Sequence, residues 1–204
     1  LATDDLLTAA EARRFVGLGT ADATRGTLLA QYVTAASRAL AKGCGTIIYG
    51  TVTGELQSGG RPYVYLDRHP VAQVVQVVEY DSTTPGTLTA ETNASKPSES
   101  YVADLTSGKV TRRSGGATHL FPTGIDNVYV TYVAGRFAST ATVDDRFKTA
   151  CGLVLKNMWR AQEFANGSVD EFDVPQASFP RFTIPNSVKE LLGDEWHYGT
   201  GTGD

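Results

Sequence analysis

The segment Asn127-Val-Tyr-Val-Thr-Tyr-Val-Ala-Gly135 and the helix-patterned stretch behind it constrain this chain more than any other feature. The run is aromatic and β-branched, which suits a pleated strand. Val128, Val130 and Tyr132 alternate with Tyr129, Thr131 and Val133, so a central strand with both faces in use is expected. Phe147, Ala150, Cys151, Val154, Leu155, Met158 and Trp159 then recur every three or four residues, the spacing of one face of a helix. Asp144 or Asp145 is placed to cap that helix, and Gly167 after Asn166 to stop it. A chain that changes period in this way has to pack helices beside a sheet.

The reverse change occurs earlier. Thr8-Ala-Ala-Glu11 fits a capping box for a short helix over Ala9 to Phe15, closed by Gly17 and Gly19. A second helix is expected from about Asp22 to Lys42, with Leu28, Leu29, Tyr32, Val33, Ala36 and Leu40 on one stripe and Gly43 at its end. From Thr46 the residues become β-prone: Thr46–Tyr49, Thr51–Thr53, Tyr63–Leu66 and Val74–Tyr80. Tyr101–Leu105 and Lys109–Arg112 flank Thr106-Ser-Gly108 as a hairpin. The stretch Asp81 to Ser100 is rich in Ser, Thr, Pro and Glu and reads as an exposed loop. Beyond Gly167 large apolar residues stand among prolines, and a last short helix covers Val188 to Leu192.

The fold class is therefore α+β: a small helical bundle of two N-terminal helices and one long later helix, an inserted antiparallel β-rich portion, and an extended C-terminal arm. Residues 1–45 hold the N-terminal helices, 46–136 the insert with its loop 81–100, 137–167 the long helix, and 168–204 the arm, all as one structural unit. The bundle core is expected from Leu28, Leu29, Tyr32, Val33, Leu40, Phe147, Cys151, Val154, Leu155 and Met158.

The formal net charge of the 204 residues is −4. The densest basic spot, Lys109 to Arg113, is short, which argues against a tight nucleic-acid binder. Cys44 and Cys151 read as free thiols. His69, His119 and His197 are scattered, without metal-ligand spacing. The chain has no Gly-x-Ser-x-Gly elbow, no phosphate loop and no His-Glu-x-x-His, so no enzyme, cofactor or metal is expected. No apolar run is long enough to span a bilayer. The acidic start, Leu1-Ala-Thr-Asp-Asp, lacks the pattern of a secretory signal, and its want of a methionine reads as a lost or omitted leading residue.

Several short motifs occur in a telling order. Leu66-Asp-Arg-His-Pro-Val71 precedes a valine-rich strand. Tyr101 to Val110 forms a hairpin ending in Gly-Lys-Val. Val130-Thr-Tyr-Val-Ala-Gly135 ends the main strand, the helix bearing Leu153 to Trp159 and Gln162 follows, and Ile184-Pro-Asn-Ser-Val-Lys-Glu-Leu-Leu192 comes last. In this order the chain resembles the head–tail connector proteins (adaptor or head-completion proteins) of long-tailed bacteriophages, with His69 standing inside an otherwise Arg-Pro-Val element. The resemblance implies a structural virion protein at the head–tail neck, assembled in the host cytoplasm. It implies a homo-oligomeric ring, commonly of twelve subunits, with the phage portal protein on one side and a tail-side stopper or head-completion protein on the other. Double-stranded DNA would pass through without sequence recognition, and no membrane, cofactor or catalysis is involved. The family's portal-binding arm maps onto Phe179, Phe182, Ile184, Val188, Leu191, Leu192 and Trp196. The residues also allow a β-rich carbohydrate- or host-binding virion module, with Tyr63, Tyr65, Tyr80, Tyr101 and Tyr129 stacking on sugars, although ordinary packing within a sheet accounts for the same tyrosines.

Overall fold

Thr8 and Glu11 form the reciprocal cap that their spacing allows: the Thr8 amide donates to Glu11 Oε2 at 2.7 Å and the Glu11 amide to Thr8 Oγ1 at 3.3 Å. Helix α1 accordingly spans Ala9–Val16 and stops at Gly17, which takes the left-handed conformation that glycine adopts at least cost. The structure, a computed structural model, describes residues 2–19, 23–166 and 184–196. It is α+β, and the chain divides into two compact units: a helical unit, Leu1–Cys44 with Phe137–Asp204, and a β unit, Gly45–Arg136.

In the helical unit, α2 (Ala23–Cys44) and α3 (Asp145–Asn166) pack together, with the Tyr32 ring edge-on to Trp159 at 6.1 Å. Asp144 starts α3, accepting from the Arg146 amide at 2.8 Å. Leu29, Val33, Leu40, Phe147, Cys151, Val154 and Leu155 are buried, and Leu28, Tyr32 and Met158 are half-buried. Gly43 does not end α2 as expected. The helix runs on to Cys44, and Gly45 takes the left-handed turn with φ +77°. Gly43 lacks a side chain for a tertiary reason, since the Trp196 indole lies where a Cβ would stand. Trp196 follows α4 (Asn186–Leu192) and a 3-10 turn, and α4 lies against α3.

The β unit holds β1 (Gly50–Gln57), β2 (Tyr63–Tyr65), β3 (Val71–Asp81), β4 (Thr84–Ala90), β5 (Ser100–Asp104), β6 (Lys109–Ser114), β7 (Ala117–Thr118) and β8 (Val128–Ala134). The sheet order is β1-β8-β3-β4-β5-β6-β2, with β7 beside β6. A flat sheet of that order would put β1 and β2 about 29 Å apart at ordinary strand spacing. Yet only residues 58–62 connect them, a link that reaches about 21 Å at most. The sheet must therefore roll, and it encloses one core built from Val64, Val77, Leu88, Val110, Phe121, Val130, Tyr132 and their neighbours. Glu55 on β1 spans the gap towards the residues after β2, accepting from the Asp67 amide at 3.0 Å and from the Tyr132 hydroxyl at 2.5 Å. Burial and this carboxylate push the Tyr132 hydroxyl well above its ordinary pKa.

Two expectations change here. Strand β8 is central, between β1 and β3, but buried mainly through Val128, Val130, Tyr132 and Ala134, while Tyr129 stays exposed. Asp81 to Ser100 is not one loop, because it contains β4. That strand turns back from β3 through Ser82, whose positive φ suits a tight hairpin, and inserts Leu88 into the core. Pro85 is tolerated because β5 pairs only with Thr89 and Ala90. The true loop, residues 91–99, is tied down by the Glu91 carboxylate, which accepts from Ser100 Oγ at 3.0 Å and the Gly116 amide at 3.2 Å.

The ends of the β unit meet, the Arg136 amide donating to the Ile47 carbonyl at 2.9 Å. Residues 45–136 expressed alone are expected to fold cooperatively. Thermal unfolding followed by circular dichroism checks this, with a featureless, non-cooperative signal counting against it.

Candidate functional site

An open cleft of the β unit, about 790 Å³ in volume, is lined by residues including Glu79, Asp81, Glu99, Arg112, His119 and Thr123. Arg112 forms its floor because β6 alternates, placing Val110 and Arg112 on the buried side. Its guanidinium grips Glu79 through two bonds of 2.9 and 2.8 Å and reaches Glu99 at 2.5 Å. The remaining donors go to the carbonyls of Ser98, Ser100 and Arg113. A guanidinium with every donor used has none left for a ligand anion. The arrangement fastens the β3–β4 hairpin to β5 and β6.

In the helical unit, Asp5 is buried beside α2 and Ser37 is buried on it. Asp5 Oδ2 accepts from the Ala2 amide at 2.6 Å and from Thr34 Oγ1 at 3.2 Å, and Ser37 Oγ accepts from the Leu6 amide at 3.0 Å. The Cys151 sulfur lies 3.7 Å from Ser37 Oγ, and burial pushes its thiol up to about 12, far from a reactive thiolate. Cys44 is likewise buried and takes part in no disulfide. Among the described residues no three His, Cys, Asp or Glu side chains converge on a metal position, and no helix is long and apolar enough to cross a membrane.

The residues expected on a C-terminal arm do not share one environment. Phe179 and Phe182 lie outside the described residues. Val188 and Leu192 are buried within their own chain, the apolar side of α4 being used against α3. Ile184, Leu191 and Trp196 are half-buried. Removing the chain from Phe179 onward would thus uncover the helical core as well as any docking surface.

The tyrosines of the sugar-platform reading fall into two ring pairs on separate strands and one core residue. Tyr101 is in the core, Tyr63 and Tyr65 sit on β2, and Tyr80 and Tyr129 on β3 and β8. Every exposed large apolar side chain among the described residues belongs to the β unit: Tyr49, Leu56, Tyr65, Val75, Val102, Leu105, Leu120, Ile125 and Tyr129. Sequence reasoning sought the apolar docking surface in residues 179–196. The signal it lacked was strand register, which decides what faces outward.

A helical frame interrupted between its second and third helices by a rolled sheet is the class of fold this chain has. No protein-family model and no curated protein matches the sequence, but solved structures match the fold. A chain in the neck of an empty gene transfer agent (GTA) particle, computed with C6 symmetry, superposes with a TM-score of 0.56 at 19% identity, covering 94% of this chain and 90% of that one. A chain in the virion of a native GTA particle gives 0.56 at 18% identity, covering 98% and 93%. What they share with this chain is the fold.

Proposed function

We propose that this chain is a structural protein of the neck of a tailed, phage-like particle, forming a ring that joins the portal of the DNA-filled head to the tail. The observation that carries the reading is the fold it shares, over at least nine-tenths of both chains, with a protein of a GTA particle neck. That neck was computed with C6 symmetry, and a ring of twelve is a multiple of that order. The formal charge of −4 suits a channel wall that repels duplex DNA enough to let it slide. The fully engaged Arg112, which fastens strands together, is in keeping with a scaffold. Ile184, Leu191 and Trp196, with Phe179 and Phe182, are the residues assigned to the portal, and a stopper or head-completion protein to the tail side.

Deleting the gene in a producing host is the test. Electron microscopy is expected to show DNA-filled heads and separate tails, with joined particles restored by a plasmid copy. Normal yields of joined particles without the chain would refute the proposal.

A further inference from the structure

The occupant of the surface described next rests on the ring reading. We infer that the outer face of β1, β8 and β3, at the end of the β unit remote from Gly45 and Arg136, is one half of the contact between neighbouring copies of this chain, and that the outer face of β2, β6 and β5 is the other half.

The first face follows from register. Leu56, Tyr129 and Val78 stand side by side across β1, β8 and β3, and the Tyr80 ring lies 5.1 Å from that of Tyr129. Leu56 is 48% and Tyr129 37% exposed. The next row places Thr131 beside Gln76. Among the described residues of these three strands no charged side chain shares this face. Of the acids on these strands, Glu55 turns to Tyr132, Glu79 is buried on Arg112, and Asp81 lines the cleft. In a chain with 20% charged residues, an outward sheet face of Leu, Val, Tyr, Thr and Gln has the make-up of an interface core.

Just beyond this face stands Ile125, 86% exposed. Its loop is held by bonds from the Gly59 amide to the Gly124 carbonyl at 3.0 Å and from Asn127 Nδ2 to the carbonyls of Pro122 and Tyr80 at 2.8 and 3.3 Å. A loop whose backbone is held in advance loses little freedom when a partner covers it.

Charge selects the occupant. A partner burying a charged group on this face would leave that charge desolvated and unpaired. The β2–β6–β5 face of a second copy avoids this. It offers Tyr63, Tyr65 and Val102, with Thr111 between. Its charges are already engaged: Lys109 sits 4.4 Å above the Tyr63 ring, Arg113 lies 3.5 Å from Glu91, and Asp104 accepts from Ser107 Oγ at 2.6 Å. The two faces lie on different strands, so the contact is head-to-tail, the kind that closes rings.

Tyr129→Lys and Tyr65→Lys test this in the full chain, with sedimentation velocity up to the highest soluble concentration and circular dichroism to confirm folding; Leu56→Lys replaces Tyr129→Lys if that variant does not fold. The wild type is expected to self-associate, and each variant alone to do so at least tenfold more weakly. An equimolar mixture of the two variants should form a dimer and nothing larger, because one intact face of each kind remains. A wild type that stays monomeric overturns the inference, as does variant association equal to wild type, or a mixture that fails to dimerise. Neither result decides the neck assignment, which the gene deletion tests by itself.

Discussion

Arg112→Met is expected to destabilise the β unit by about 3–5 kcal/mol, the range seen when one partner of a buried ion pair is removed. The side chains of Arg112 and Glu79 are only 4% and 9% exposed. Without the guanidinium, Glu79 would be left buried without its ion-pair partner, and the carbonyls of Ser98 and Ser100 would lose a donor. Thermal unfolding of a unit this size is expected to fall by on the order of 15–30 °C. The double variant Glu79→Leu/Arg112→Met should recover part of the loss, because the stranded charge is gone while the carbonyls stay unserved. Urea unfolding of the three proteins measures both terms, and a single-variant loss under about 1 kcal/mol would contradict this account.

The second large effect is expected in the helical unit. Phe147→Ala should cost about 3–5 kcal/mol, the usual penalty for truncating a buried phenylalanine without refilling the space. Phe147 is 1% exposed and meets the Phe137 ring edge-on at 5.6 Å. It stands in the first turns of α3, so the cavity would open beneath a helix that packs against α1, α2 and α4. Loss of helical signal at lower urea than wild type is the expected reading. An unchanged midpoint would mean that the site collapses to fill the void.

What could be read from the sequence was whatever a few neighbouring residues decide. Thr8 with Glu11, and Asp144 before its helix, are signals complete within four residues, and both act as expected. The alternation of Val128, Val130 and Tyr132 was equally local. Strand β4 was not legible, because Thr84–Ala90 contributes only Leu88 to the core and is held by partners far along the chain. Gly43 misled for a similar reason, since a glycine that makes room for Trp196 looks in sequence like a helix end. The short helix over Val188 to Leu192 was legible, but the prolines before it placed it on an extended arm, whereas α4 buries Val188 and Leu192 within its own unit. The uncharged sheet face could not be seen without pairing Leu56, Tyr129 and Val78, which lie on three separate strands.

The bond between Arg136 and Ile47 has a consequence for the order in which the chain folds. Helices α2 and α3 are partners separated by the whole of Gly45–Arg136. Closing a flexible loop of that length costs about 4 kcal/mol of chain entropy, against about 1 kcal/mol for a link of a few residues. A β unit that forms first, with its two ends pinned together, makes the closure short before the helices meet. A sequence that places its longest-range pairing across an insert thus gains if nucleation begins inside the insert.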